Sequence, residues 1–184
     1  MLYRFSQTDK SGSNADGADP YEPLLETEPG VFYGSATFGG ANGTGVVFRF
    51  SLSDRGVDVV HTFSAVNAAG NNSDGANPLA RLTLGREGTM YSTASSGGAN
   101  GNGVVYSIRP DGDFDVLHTF STTDPTTGAN QDGAIPHYGV VLDHHRLIGV
   151  ALLGGNGSPA GFSNSGGTLY ELELDDFDDR QSEH

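Results

Sequence analysis

The sequence predicts an all-β, β-propeller-like protein. It holds three four-stranded blades per chain, the N-terminal strand completes the last blade, and a dimer would make a ring of six. Three observations carry this reading. A pattern of about 58 residues recurs three times, its apolar spans alternate in the strand period, and clusters of Gly, Asp, Asn and Pro separate those spans.

The recurrence is read most directly from Asp16-Gly17, Asp74-Gly75 and Asp132-Gly133, each pair 58 residues after the last. Pro20, Pro78 and Pro136 keep the same interval. Gly39-Gly40-Ala41-Asn42-Gly43 returns as Gly97-Gly98-Ala99-Asn100-Gly101. Gly45-Val46-Val47-Phe48 returns as Gly103-Val104-Val105-Tyr106, and after a longer loop as Gly167-Thr168-Leu169-Tyr170. His61-Thr62-Phe63-Ser64 matches His118-Thr119-Phe120-Ser121, and Tyr3-Arg4-Phe5-Ser6 fills the same slot at the start. The copies span approximately 2–60, 61–117 and 118–174 of one repeat domain, 1–174, and an acidic tail follows at 175–184.

Each copy reads as four strands in order. The first follows the proline, at Pro23 to Glu26, Leu79 to Leu84 and Tyr138 to Leu142. A turn such as Glu28-Pro29-Gly30 or Arg86-Glu87-Gly88 leads to the second, at Val31 to Thr37, Thr89 to Ala94 and Leu147 to Leu152. The glycine loop, rich in residues that accept positive φ, joins it to the third. That strand alternates strictly in Val47-Phe48-Arg49-Phe50, Val105-Tyr106-Ser107-Ile108 and Leu169-Tyr170-Glu171-Leu172. Asp54-Arg55-Gly56 and Pro110-Asp111-Gly112 then turn into a fourth, at Val57 to Phe63 and Phe114 to Phe120. No span carries a helical apolar stripe. The first copy opens with a fourth-strand segment, Leu2 to Phe5, and the third copy ends on a third strand, so the opening strand can complete the final sheet and remove an exposed edge. Propellers have four to eight blades. Three per chain therefore points to a head-to-tail dimer, to a fragment of a longer array, or to an unusual three-sheet monomer.

Charge narrows the partners. With 23 acidic residues against 9 basic ones, the net charge of −14 repels nucleic acid phosphates and anionic lipid headgroups. Lys10 is the only lysine. The absence of cysteine excludes a disulfide scaffold and cysteine-based zinc sites. No run reaches the roughly 18 apolar residues of a membrane-spanning helix, and the first residues lack the pattern of a signal peptide. Expected partners are a glycan or a protein, without nucleic acid or membrane insertion, and with a second copy of the chain.

The pattern His61-Thr62-Phe63-Ser64, Asp74-Gly75-Ala76-Asn77-Pro78, Met90-Tyr91-Ser92-Thr93, Gly97 to Gly101 and Gly103 to Tyr106 resembles the Gloeobacter/Verrucomicrobia-type tandem repeat, the GloVer repeat. The likeness runs from Leu2 to Leu174. The third copy departs from it, with Ala134-Ile135-Pro136 in place of Ala-Asn-Pro and an expanded loop over Gly155 to Ser165. The resemblance implies a propeller-like fold on exported or cell-surface bacterial proteins and no settled chemistry.

Candidate sites follow from residue type. The Asx-rich connectors contain Asp16, Asp74 and Asp132, and hard cations such as calcium take six to eight oxygens from such loops. The spacing is not that of an EF-hand, and Asp before Gly is also an ordinary turn former. Otherwise no cofactor is expected. His61 and His118 occupy the slot that holds Tyr3, which suits packing or hydrogen bonding between blades. His137 and Tyr138 break the repeat's symmetry. With Arg81 they could serve as base, acid and carboxylate clamp of a polysaccharide lyase. Neighbours on a strand point to opposite faces, however, which argues against a shared pocket. Tyr21, Tyr33 and Tyr91 could stack on sugar rings. The glycine loops lack the helix and the Lys-Ser/Thr of a phosphate loop. The leading expectation is a non-catalytic binding or scaffold module that presents loops to glycans or proteins. The alternatives are a polysaccharide-active lyase or hydrolase, and a structural repeat that builds larger assemblies.

Overall fold

Among the described residues, 1–155 and 166–174 of this computed structural model, eleven strands form three antiparallel sheets. Sheet one runs β1 (Leu25–Glu28), β2 (Val31–Ala36), β3 (Val46–Ser51) and β4 (Val57–Thr62) in sequence order. Sheet two repeats this with β5 (Thr83–Leu84), β6 (Met90–Ala94), β7 (Val104–Ile108) and β8 (Phe114–Thr119). Sheet three holds β9 (Val141–Asp143), β10 (Arg146–Ala151) and β11 (Thr168–Glu173). One 3-10 turn, Arg86–Gly88, is the helical element among the described residues. The expanded loop at 156–165 and the acidic tail at 175–184 lie outside them.

Register repeats with the sequence. Tyr33 pairs Arg49 and Val47 pairs His61, as Tyr91 pairs Ser107 and Val105 pairs His118. Both outer ladders slip after that last pair, at Val47/Phe48 and Val105/Tyr106, where a bulge adds twist to the fourth strand. The bulge frees the strand's end to leave its own sheet. Phe63 closes edge-on to Tyr106 of the next sheet at 5.5 Å, and Phe120 meets Tyr170 at 5.1 Å.

Alternation gives each sheet a front and a rear face. Tyr33 and Val47 on the front of sheet one bury against Leu82, Met90 and Ile108 on the rear of sheet two. Val105 and Tyr91 do the same against Val140, Leu147 and Tyr170 of sheet three. An aromatic pair of this edge-on kind adds about 0.5–1.5 kcal/mol beyond the area it buries. The first strands adjoin one another, β1 with β5 and β5 with β9.

Several expectations need correction. Within one chain, Leu2 to Phe5 forms no strand and does not pair with sheet three. Tyr3 and Phe5 are held instead on sheet one, where the Phe5 ring meets Phe48 at 5.1 Å and the Tyr3 hydroxyl donates to Asp16 at 2.7 Å. Sheet three is three-stranded. The first strands of sheets two and three are also shorter than the sequence implies, because the carbonyls ahead of them accept from side chains. Ser92 donates to Ala80 and Arg81, and Thr93 donates to Pro136 and Tyr138.

Candidate functional site

A single arginine interrupts the apolar strand β3, and its place in the register decides what it does. Arg49 lies directly across from Tyr33, so both side chains stand on the front face of sheet one. Near the turns, where sheets one and two diverge, these residues line a groove of about 490 Å3. Thr27, Glu28 and Val31 contribute from sheet one, and Leu84, Gly88 and Pro110 from the second repeat. Tyr33 is buried to 3 % exposure, which places its ring in the groove wall. Burial raises its phenol pKa, the cation of Arg49 works against that rise, and Glu28 adds to it. Arg49 also donates to Asp58 at 3.2 Å. The groove thus offers a guanidinium, a carboxylate and a hydroxyl beside apolar walls backed by the buried Tyr33 ring. That set recognises hydroxyls and carboxylates, and it contains no activated nucleophile.

The sequence singled out Tyr33 but missed Arg49 and Glu28. The available signal was Arg49 itself, the one charged side chain in β3. Tyr91, the counterpart of Tyr33, is half-buried at the next junction, and burial again raises its phenol pKa while Arg109 opposes. Tyr21 stands 77 % exposed in the first connector, away from the groove.

His137 and Tyr138 precede β9 and so lie outside the strand that was expected to hold them. Their rings meet edge-on at 5.9 Å, because neighbours outside a strand need not point to opposite faces. Tyr138 is 60 % exposed. The Arg81 carbonyl abuts Gly139 in the neighbouring connector, 2.6 Å from where a Cβ would stand. Among the described residues no hydrogen bond links the side chains of His137, Tyr138 and Arg81.

The three aspartates occupy three separate junctions. Asp74 accepts from His61 Nε2 at 3.1 Å and from the Ser64 N–H at 3.0 Å. Asp132 accepts from His118 Nε2 at 3.0 Å, from the Ser121 N–H at 2.9 Å and from the Ser121 hydroxyl. Asp16 accepts from Tyr3 and from the Ser6 N–H. Each carboxylate ties the end of one repeat's last strand to the connector of the next. Burial alone would raise the pKa of Asp74 and Asp132, but these hydrogen bonds outweigh it and hold both carboxyls below the ordinary range. Beside each aspartate stands an asparagine whose amide is fully used. Asn72 donates to Ser64 and Gly75 carbonyls and accepts from the Gly75 and Gly98 N–H groups. Asn14 and Asn130 repeat all four bonds. Among the described residues no group of three or more acidic or histidine side chains is placed to hold a metal ion.

No curated protein and no solved structure matches the chain. The Gloeobacter/Verrucomicrobia repeat family matches residues 3–180, across all three copies of the latch and both copies of the glycine loop. This chain belongs to the Gloeobacter/Verrucomicrobia repeat family.

Proposed function

We propose that this chain is a non-catalytic binding or scaffold module whose blades stand propeller-like about a shared axis and take glycans or protein partners at the junctions between them. On this reading a second copy completes a ring of six, and the setting is the cell surface or the exterior. The observation that carries the reading is the groove lined by Tyr33, Arg49 and Glu28. It combines a guanidinium, a carboxylate and a hydroxyl with apolar walls, the combination that suits a sugar or a polar side chain. One further feature supports it. The first strands adjoin in sequence order, as strands nearest a common axis would.

A glycan array followed by calorimetry on the best binder tests this. Arg49→Ala removes a charged hydrogen bond worth about 1.5–3 kcal/mol, so binding should weaken by about tenfold or more. Tyr33→Phe, which keeps the packed ring, should weaken it less. Binding indifferent to Arg49→Ala would remove the groove as the site. Release of unsaturated sugars that is abolished by His137→Ala would replace the module with a lyase.

A further inference from the structure

Each internal junction sets the front face of one sheet on the rear face of the next, and the same two faces are less fully covered on sheets three and one. On the rear of sheet one Val46 and Phe48 are buried against Phe5, while Leu24, Phe32 and Phe5 itself stay partly exposed, unlike their counterparts Leu82, Met90 and Phe63. Val47 and Val105, on the front of sheets one and two, are 0 % exposed, whereas Leu169 at the same position of sheet three is 74 % exposed. Val141 and Val150 stand open beside it. On the rear, Leu82 and Val140 are 2 % and 3 % exposed, and their counterpart Leu24 on sheet one is 44 % exposed. The connectors agree. Pro78 packs on Gly45 and Pro136 on Gly103, and the Asn77 and Ile135 N–H groups donate to the Thr44 and Asn102 carbonyls of the preceding repeat. Pro20, the third proline, is exposed, and no atom of the described residues outside its chain neighbours lies within 4 Å of a Cβ built on Gly166, the counterpart of Thr44 and Asn102.

We propose that the front face of sheet three is the docking surface for the rear face of sheet one in a second copy of this chain, and reciprocally. The inference rests on the propeller-like reading above and names the surfaces that would close it. A second copy is the fitting occupant because both halves of the internal contact are present on one chain, the front half open at Leu169 and Val141 and the rear half left partly exposed at Leu24, Phe32 and Phe5. Two copies related by a twofold axis cover all four open faces at once. Six blades also fall within the usual range of four to eight. The outer edge of β11, unpaired among the described residues, would receive the other copy's Tyr3 and Arg4. Leu169 would lie opposite Tyr3, as Val47 lies opposite His61, and Thr168 opposite Arg4, as Val46 lies opposite Thr62. Compared with Ser35 and Thr93, Val150 makes this front face more apolar, which favours burial.

Sedimentation equilibrium of the full chain tests the proposal. The expected mass is twice the 19.1 kDa of one chain. Leu169→Glu, at a position exposed in the single chain, should return the mass to one chain with an unchanged circular dichroism spectrum. Because the chain has no cysteine, the double variant Arg4→Cys with Thr168→Cys should form a disulfide between copies on oxidation. A wild-type monomer, a polymer that lengthens with concentration, or a dimer indifferent to Leu169→Glu would each overturn it. Arg49→Ala acts on the groove and leaves the mass unchanged, so failure of the binding reading and failure of this one show separately.

Discussion

The imidazole of His61 lies flat on the ring of Phe114, with centroids 3.8 Å apart and planes 5° apart, while its Nε2 meets Asp74 at 3.1 Å. One side chain thus joins the last strands of sheets one and two to the connector between them. Because Asp74 is held below the ordinary carboxylate range, the stability it confers is present above the unfolded Asp pKa of about 3.9 and fades as the pH falls through its lower folded value. Urea midpoints from pH 7 to pH 3 should therefore show wild type falling toward Asp74→Asn only in the acid arm. A gap between the two proteins that stays constant to pH 3 would contradict the latch.

The asparagine staples should dominate local stability. Asn72→Ala strands two carbonyls and two N–H groups, and at about 1 kcal/mol for each lost bond the cost should be about 2–4 kcal/mol. Asn67, which accepts two exposed backbone bonds, should cost less than half as much on the same substitution. Chemical denaturation of both variants checks the ranking.

Gly45 tests the junction from the backbone. It has φ +102°, and a Cβ there would stand 2.5 Å from the Pro78 ring and 2.6 Å from the Ala36 carbonyl. Gly45→Ala should cost about 2–4 kcal/mol, because the left-handed backbone and the next repeat's proline both resist it. Gly12, at φ +84° with nothing within 4 Å, should cost only the conformational penalty of about 1–2 kcal/mol. Equal losses in thermal melts would show that the proline contact contributes nothing.

Among the described residues the buried hydroxyl of Tyr170 has no hydrogen-bond partner, and burial pushes its phenol pKa well up. Tyr170→Phe removes that unsatisfied group and should leave stability unchanged or raise it by about 1 kcal/mol. The first repeat already carries phenylalanine, Phe48, at this place. A clear fall in melting temperature would reveal a partner for the hydroxyl.

Much of this fold is written in the chain because every repeat solves the same packing problem with the same residue types. The glycine loops and the alternation through Val47-Phe48-Arg49-Phe50 place the strands, and the interval between Asp16, Asp74 and Asp132 places the junctions. What the aspartates do was harder to read. Asp before Gly looks alike whether the carboxylate turns back on its own loop, holds a cation, or reaches across to a histidine some thirteen residues earlier. Leu2 to Phe5 resembles the strand end His61 to Ser64 in sequence. Strand geometry, however, needs a neighbouring edge, and within one chain the segment is held by side chains instead, among them Phe48, Asp16 and Asn14. The groove was half legible. An aromatic on an inward face is ordinary core, and only the register, which sets Arg49 across from Tyr33, turns it into a candidate site.

The overhang of each fourth strand onto the following sheet bears on how such chains lengthen. The break between chemical neighbourhoods falls inside a sheet, while the bond between sheets recurs once per repeat, as His61 with Asp74 and then His118 with Asp132. Gene duplication or loss in whole periods would leave every remaining contact as it was. The count of units can drift through evolution while selection acts on a single template of side chains.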